Sequence, residues 1–124
     1  MTTSESKTQM HAGAAWQLLA EADHTLMTHD LPLTGEKLWQ ATVNAVKALC
    51  ADRGWEYAGD DHIQLLHFAK RLAVEREDEN IKLAFLIASH CHANSKYDWM
   101  EFDDLDDNRI RIRRLVEQIL ADVE

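Results

Sequence analysis

One proline and four glycines are all that this chain of 124 residues offers to interrupt a helix. Runs of β-branched residues are few, and no segment alternates apolar and polar with period two long enough to make a strand. These scarcities argue against a sheet protein and leave helices. No apolar run approaches the roughly 20 residues that a membrane span needs. The polar start MTTSESKTQ is no signal peptide, so no membrane is expected and the cytoplasm is the expected compartment. Cys50 and Cys91 are the only two cysteines, and each sits in an apolar helical pattern. They are expected to be reduced core thiols, not a disulfide framework. Basic residues are outnumbered, 13 against 22 acidic, which gives a net charge of −9. Such acidity counts against general nucleic-acid binding, which relies on many Lys and Arg contacts to phosphate. A local basic patch is compatible with it.

What the chain has in abundance is helical periodicity. Residues 33–55 form the stretch around which the rest is organised. Leu38, Trp39, Thr42, Val43, Val46, Leu49, Cys50 and Arg53 recur at steps of three and four, while Glu36, Lys37, Gln40, Asn44, Lys47 and Asp52 take the other face. Pro32 precedes this helix and Gly54 stops it. Ahead of it, residues 1–6 read as a disordered lead. Ser6 and Gln9 form a capping box for a first helix that runs to about His29 along Ala15, Leu19, Ala22 and Leu26, widened by Ala12, Trp16 and Leu18. A turn from His29 to Thr34 leads into the central helix.

Beyond the GWEYAGD loop, a third helix begins near Asp60 with Ile63, Leu65, Leu66, Phe68, Ala69, Leu72 and Ala73 as its apolar set. Asp78 caps a fourth, whose stripe is Ile81, Ala84, Phe85, Ala88 and Cys91, broadened by Leu83 and Ile87. The period fails over HANSKYDWMEF, where Asn94, Ser95 and Asp98 favour turns. A last helix starts near Asp103 or Asp104 and carries Leu105, Ile112, Leu115, Val116, Ile119 and Val123. The expected fold is all-α: an antiparallel up-and-down four-helix bundle with one additional short or C-terminal helix, forming a single domain over residues 7–124.

Little of the chemistry is complete. His90 and His92 are two residues apart, about 200° round a helix. His62 and His67, like His24 and His29, are five apart, about 140°. None of these pairs converges on one ion from a helix, and zinc spacings are absent, so no metal and no cofactor are expected. The acidic run Asp103 to Asn108 lacks the central Gly and terminal Glu of a calcium loop and reads as an acidic helix start. Phosphate-binding glycine motifs and GxSxG are missing. Ser89 and Cys91 have His neighbours in sequence, but adjacent helical residues diverge by about 100° and make no dyad.

Arg109, Arg111, Arg113 and Arg114 are the one strong basic concentration. Arg109 and Arg113 share a face, as do Arg111 and Arg114. They serve either as a solvated face paired with nearby carboxylates or as phosphate contacts. Four tryptophans are many for this length. Trp39 fits the core, whereas Trp55 and Trp99 fall in loops, where they seal a bundle end or mark a partner surface.

The segment GEKLWQATVNAVKALCADRGW, Gly35 to Trp55, followed by His62, resembles the central helix of the PaREP1 family of small helical proteins, within the HEPN superfamily. A later family segment matches His92-Ala93-Asn94-Ser95-Lys96-Tyr97, departing at Ser95-Lys96, where the family usually has aromatics. The resemblance spans about Ala15 to Leu120. It implies a HEPN-like bundle that commonly dimerises. Many HEPN proteins are RNases that use an Arg followed, after four to six residues, by a His. Here eight residues separate Arg53 from His62, and no Arg precedes His90 or His92 at that distance.

The expected function is therefore a non-catalytic module that acts as a homodimer. It would bind a nucleotide, RNA or a partner protein encoded nearby, such as a nucleotidyltransferase or a toxin–antitoxin type partner. The alternative is an RNase or nucleotidyl-transfer-related enzyme with a rearranged site, for which Arg53, His62, His92, Asn94 and Tyr97 are the candidate polar cluster. In an up-and-down bundle, the loop after Arg53 and the segment after the fourth helix leave at the same end. Four large apolar residues, Tyr97, Trp99, Met100 and Phe102, are expected to form an exposed patch used for association.

Overall fold

The computed structural model describes residues 3–57, 61–121 and 123, with side chains from Lys7 onward. It is all-α: α1 (Thr3–Met27), α2 (Leu31–Arg53), α3 (His62–Glu75), α4 (Glu79–Tyr97) and α5 (Phe102–Leu120). No strand occurs among the described residues, and no helix is long and apolar enough to cross a membrane.

Helix α2 touches all four of the others and is walled in on more than one side. The expected stripe of Leu38, Trp39, Val43, Val46, Leu49 and Cys50 is buried, but so are Ala41, Ala45 and Ala48. The second buried side faces α1. Thr34 bonds Thr25 at 2.8 Å, Lys37 bonds Glu21 at 2.6 Å, and Asn44 bonds His11 at 2.9 Å. Ala41 and Ala48 fall on that same stripe, where small side chains admit a neighbouring helix. Lys37 and Asn44, assigned from the sequence to the solvent face, are thus the polar seam with α1.

Helix boundaries follow local chemistry. Asp30, a turn residue in the sequence reading, caps α2 by accepting a hydrogen bond from the Leu33 amide, so the helix begins at Leu31 with Pro32 in its first turn. Gly54 ends it at φ +71°, a conformation that only glycine adopts without penalty. The α1 helix is already formed at Thr3, which puts Ser6 inside the helix and not at its cap. Asp60 lies outside the described residues, and Asp61 caps α3 through the Ile63 and Gln64 amides. On α3, Ile63 points outward, 70% exposed, while Leu65, Ala69, Leu72 and Ala73 are buried. Asp78 caps α4 as expected.

The largest correction concerns residues 92–97, which continue α4. Their turn-forming side chains are absorbed locally. Ser95 donates to the His92 carbonyl, and buried Asn94 accepts the Met100 amide at 2.7 Å. The break comes at Asp98, at φ +48°, and α5 starts at Phe102 under a capping box of Glu101 and Asp104. The turns after α1 and α3 likewise carry a non-glycine residue at positive φ, His29 and Glu77.

Where α2 crosses α4, the backbones nearly meet. A Cβ at Gly35 would lie far inside contact distance of the Cys91 carbonyl oxygen, whereas one at Gly13 in α1 would meet nothing within 4 Å. In a free helix, either Gly→Ala change stabilises by about 1 kcal/mol. Gly13→Ala is expected to raise the melting temperature, and Gly35→Ala to destabilise by about 1–3 kcal/mol. Chemical denaturation of the two variants measures both signs.

Candidate functional site

Two regions gather polar side chains. The first is built on the opening turns of α2, which present Glu36 and Trp39, one turn apart, to α4. Glu36 Oε1 lies 2.7 Å from His92 Nδ1, and both side chains are about one-third exposed. A carboxylate only accepts, so His92 Nδ1 donates in this bond and Nε2 is the ring nitrogen left for other contacts. Trp39, 3% exposed, is the floor. Phe85 meets it edge-on at 5.6 Å, and the His92 ring lies 5.4 Å away. His62, the first residue of α3, stacks flat on Trp39 at 4.4 Å and stands 5.3 Å from His92. Two imidazoles, one of them oriented by a carboxylate, thus share one apolar floor. Such a set is able to accept a proton and return it.

The other members of the expected cluster lie elsewhere. Arg53 ends α2, 17 residues past Glu36 and hence about 25 Å along the helix. It pairs there with Glu75 at 2.5 Å, and its guanidinium lies 5.1 Å from the Trp55 ring centre. Trp55 also stacks on Phe68 and carries Arg71 over its ring at 4.1 Å, so it seals the loop after α2. Asn94 is fully buried and tied to Met100; its Nδ2 has no partner among the described residues. Tyr97 is exposed beside Trp99. Of the five residues, only His62 and His92 come together. The two the sequence reading missed are Glu36, placed on the solvent face, and Trp39, taken as plain core. The i, i+3 spacing of those two on one helix was the available signal, but nothing local connects them to His92.

The second region is a groove of about 1010 Å³ between α4 and α5. Its floor is apolar, with Leu83, Ala84, Ile87 and Met100, and Arg111, Arg114 and His90 stand along it. The four arginines split by face. Arg109 bonds Asp106 at 2.6 Å and Asp23 of α1 at 3.4 Å, and Arg113 reaches the same Asp23 at 2.8 Å. Hydrogen bonding to Asp106 raises the Arg109 pKa further above its ordinary value. Arg111 and Arg114 are exposed and engage no carboxylate among the described residues. Among the described residues, no group of three or more His, Cys, Asp and Glu is placed to hold a metal ion.

The sequence model of the Archaeal PaREP1/PaREP8 family matches residues 10–116. The chain belongs to that family. No curated protein and no solved structure matches it. The PaREP1/PaREP8 match takes in Glu36, Trp39, His62 and His92 and the groove residues up to Arg114, while Glu117, Gln118 and Ala121 of the groove lie beyond it.

Neither cysteine belongs to these regions. Cys50 and Cys91 are fully buried, and desolvation pushes both thiols from the ordinary 9.0 up to about 12. Both therefore stay protonated across pH 7–10, where a free thiol ionises. Thiol titration with a disulfide reagent at pH 8 is expected to find no rapidly reacting group in the native protein and two after denaturation.

Proposed function

We propose that this PaREP1/PaREP8 chain is a non-catalytic, HEPN-like helical module that works by association, as a homodimer and with a partner protein. The observation that carries this reading is the end of α4, where Tyr97 is 74% and Trp99 is 51% exposed, their rings 6.3 Å apart. Aromatic rings left in water are the residues that interfaces enrich. Met100 and Phe102 turn toward the core, buried and half-buried. The association patch is thus narrower than its sequence suggested, and Met100 joins it to the floor of the α4–α5 groove.

An antiparallel packing of α1 and α4 on α2 belongs to this reading. The pairs His11–Asn44, Glu21–Lys37 and Thr25–Thr34 ascend α1 as they descend α2, and Gly35–Cys91 and Trp39–Phe85 run the same way between α2 and α4. The expected up-and-down order does not extend to α3, since Trp39–His62 and Arg53–Glu75 keep step and lay α3 parallel to α2. Light scattering across micromolar concentrations is expected to give a dimer. Tyr97→Ser/Trp99→Ser should be a monomer with an unchanged melting temperature. A monomeric wild type would remove the self-association.

Two specific observations support narrower readings. Arg111 and Arg114, unengaged on one face, suit the phosphates of a nucleotide or of RNA. The Glu36–His92 pair with His62 beside it suits proton transfer, the form in which an RNase reading survives the loss of Arg53 from the cluster. RNA incubated with the wild type, with His92→Ala and with Arg111→Ala/Arg114→Ala separates them. Under the leading proposal, all three leave the RNA intact and unbound. Cleavage that His92→Ala abolishes would establish an enzyme, and retention that the arginine pair abolishes would establish a nucleotide site.

A further inference from the structure

The α4–α5 groove has the dimensions of a helix berth. Its wall on α5 runs from Asn108 to Ala121, 13 steps and about 20 Å. A docked helix of three to four turns spans about 16–22 Å. Helix α3 packs on α4 and α2 and not on α5, which only the cap residue Arg76 reaches, so among the described residues no helix covers the outer seam between α4 and α5. Leu83, on the α4 side of that seam, is 51% exposed.

The charges along the groove select the occupant. The chain carries −9 overall, yet here Arg111 and Arg114 stand one turn apart with no carboxylate engaged among the described residues. Elsewhere on the same helix, Arg109 and Arg113 are satisfied by Asp23 and Asp106. Three arginines, Arg76, Arg111 and Arg114, line the groove against two carboxylates, Glu117 and Asp78, the second of which accepts a hydrogen bond from Gln118. Apolar floor and cationic side together call for an amphipathic helix whose apolar stripe is flanked by carboxylates.

We infer that the α4–α5 groove receives an acidic amphipathic helix of a partner protein, with Leu83, Ile87 and Met100 taking its apolar stripe and Arg111 and Arg114 pairing its carboxylates. The inference rests on the proposal that this chain works by association and adds the place and the chemistry of the partner.

A fluorescein-labelled synthetic peptide of 16 residues, with Leu at helical spacing and Glu beside the stripe, is the probe. Its anisotropy is followed against the full chain, alongside a Lys-for-Glu version and a scrambled one. The acidic peptide is expected to bind. Binding should weaken about tenfold with Arg111→Glu/Arg114→Glu and comparably with Leu83→Asp. The Lys version should bind the charge-reversed protein better than it binds the wild type. Circular dichroism checks the fold of each variant. If the double variant does not fold, Leu83→Asp and the Lys peptide still decide.

Equal binding of the acidic, scrambled and Lys peptides would overturn the inference. So would binding of labelled RNA or ATP, but not the peptide, in a manner lost with the arginine pair; that would make the groove a phosphate site. Failure of the peptide while wild-type dimerisation persists overturns this groove assignment alone. Failure of both removes the association reading itself.

Discussion

Gly35 is where α2 and α4 touch backbone to backbone. With no side chain there, α2 lies against the Cys91 carbonyl of α4, and the neighbouring positions inherit that closeness. Glu36, the next residue, meets His92, one position beyond Cys91, at hydrogen-bonding distance. One turn later, Trp39 meets Phe85 and His92 and offers its ring face to His62. The far side of α2 is held by a different seam, in which Thr34, Lys37 and Asn44 bond α1. A helix gripped on both sides in this way has little freedom to rotate. The polar groups at its opening turns are therefore held from two directions.

Charge is distributed with the same economy. The acidic excess does not coat the surface evenly. Asp23 of α1 holds both Arg109 and Arg113 of α5, which joins the first and last helices of the chain, Asp106 bonds Arg109 within α5, and the alternate two arginines are left to the groove. The helical period alone performs this sorting, since residues 109 and 113 share one face and residues 111 and 114 another. The same sequence run thereby ties α5 to α1 on one face and lines the α4–α5 groove on the other.

Much of the architecture was legible in the sequence because it rests on short-range rules. The central role of α2, the Gly54 stop, the Asp78 cap, the stripe of α4 and the burial of both cysteines all follow from spacing and capping. The misreadings occurred where a tertiary contact overrides a local preference. Residues 92–97 look like a turn, yet Asn94 finds its partner at Met100 and the helix continues. The alanines of α2 looked neutral, but they sit in a second buried side that no periodicity of large residues marks. The candidate cluster failed for a topological reason: Arg53 and His92 meet α2 at opposite ends, whereas Glu36, which does reach His92, was hidden by 56 residues of separation.

The turn between α1 and α2 has only three residues, 28–30, as few as the turn between α3 and α4, and the most extensive helix–helix packing in the protein closes it. Both regions of interest depend instead on α4, which reaches α2 only after the chain has passed through α3. An excursion that releases α4 while α1 and α2 stay paired would dismantle the Glu36–His92 contact and the α4–α5 groove in the same event. In such an opening the two regions would be lost together and would share one equilibrium. A ligand that stabilises either one raises the population in which the other exists, without any contact passing between them.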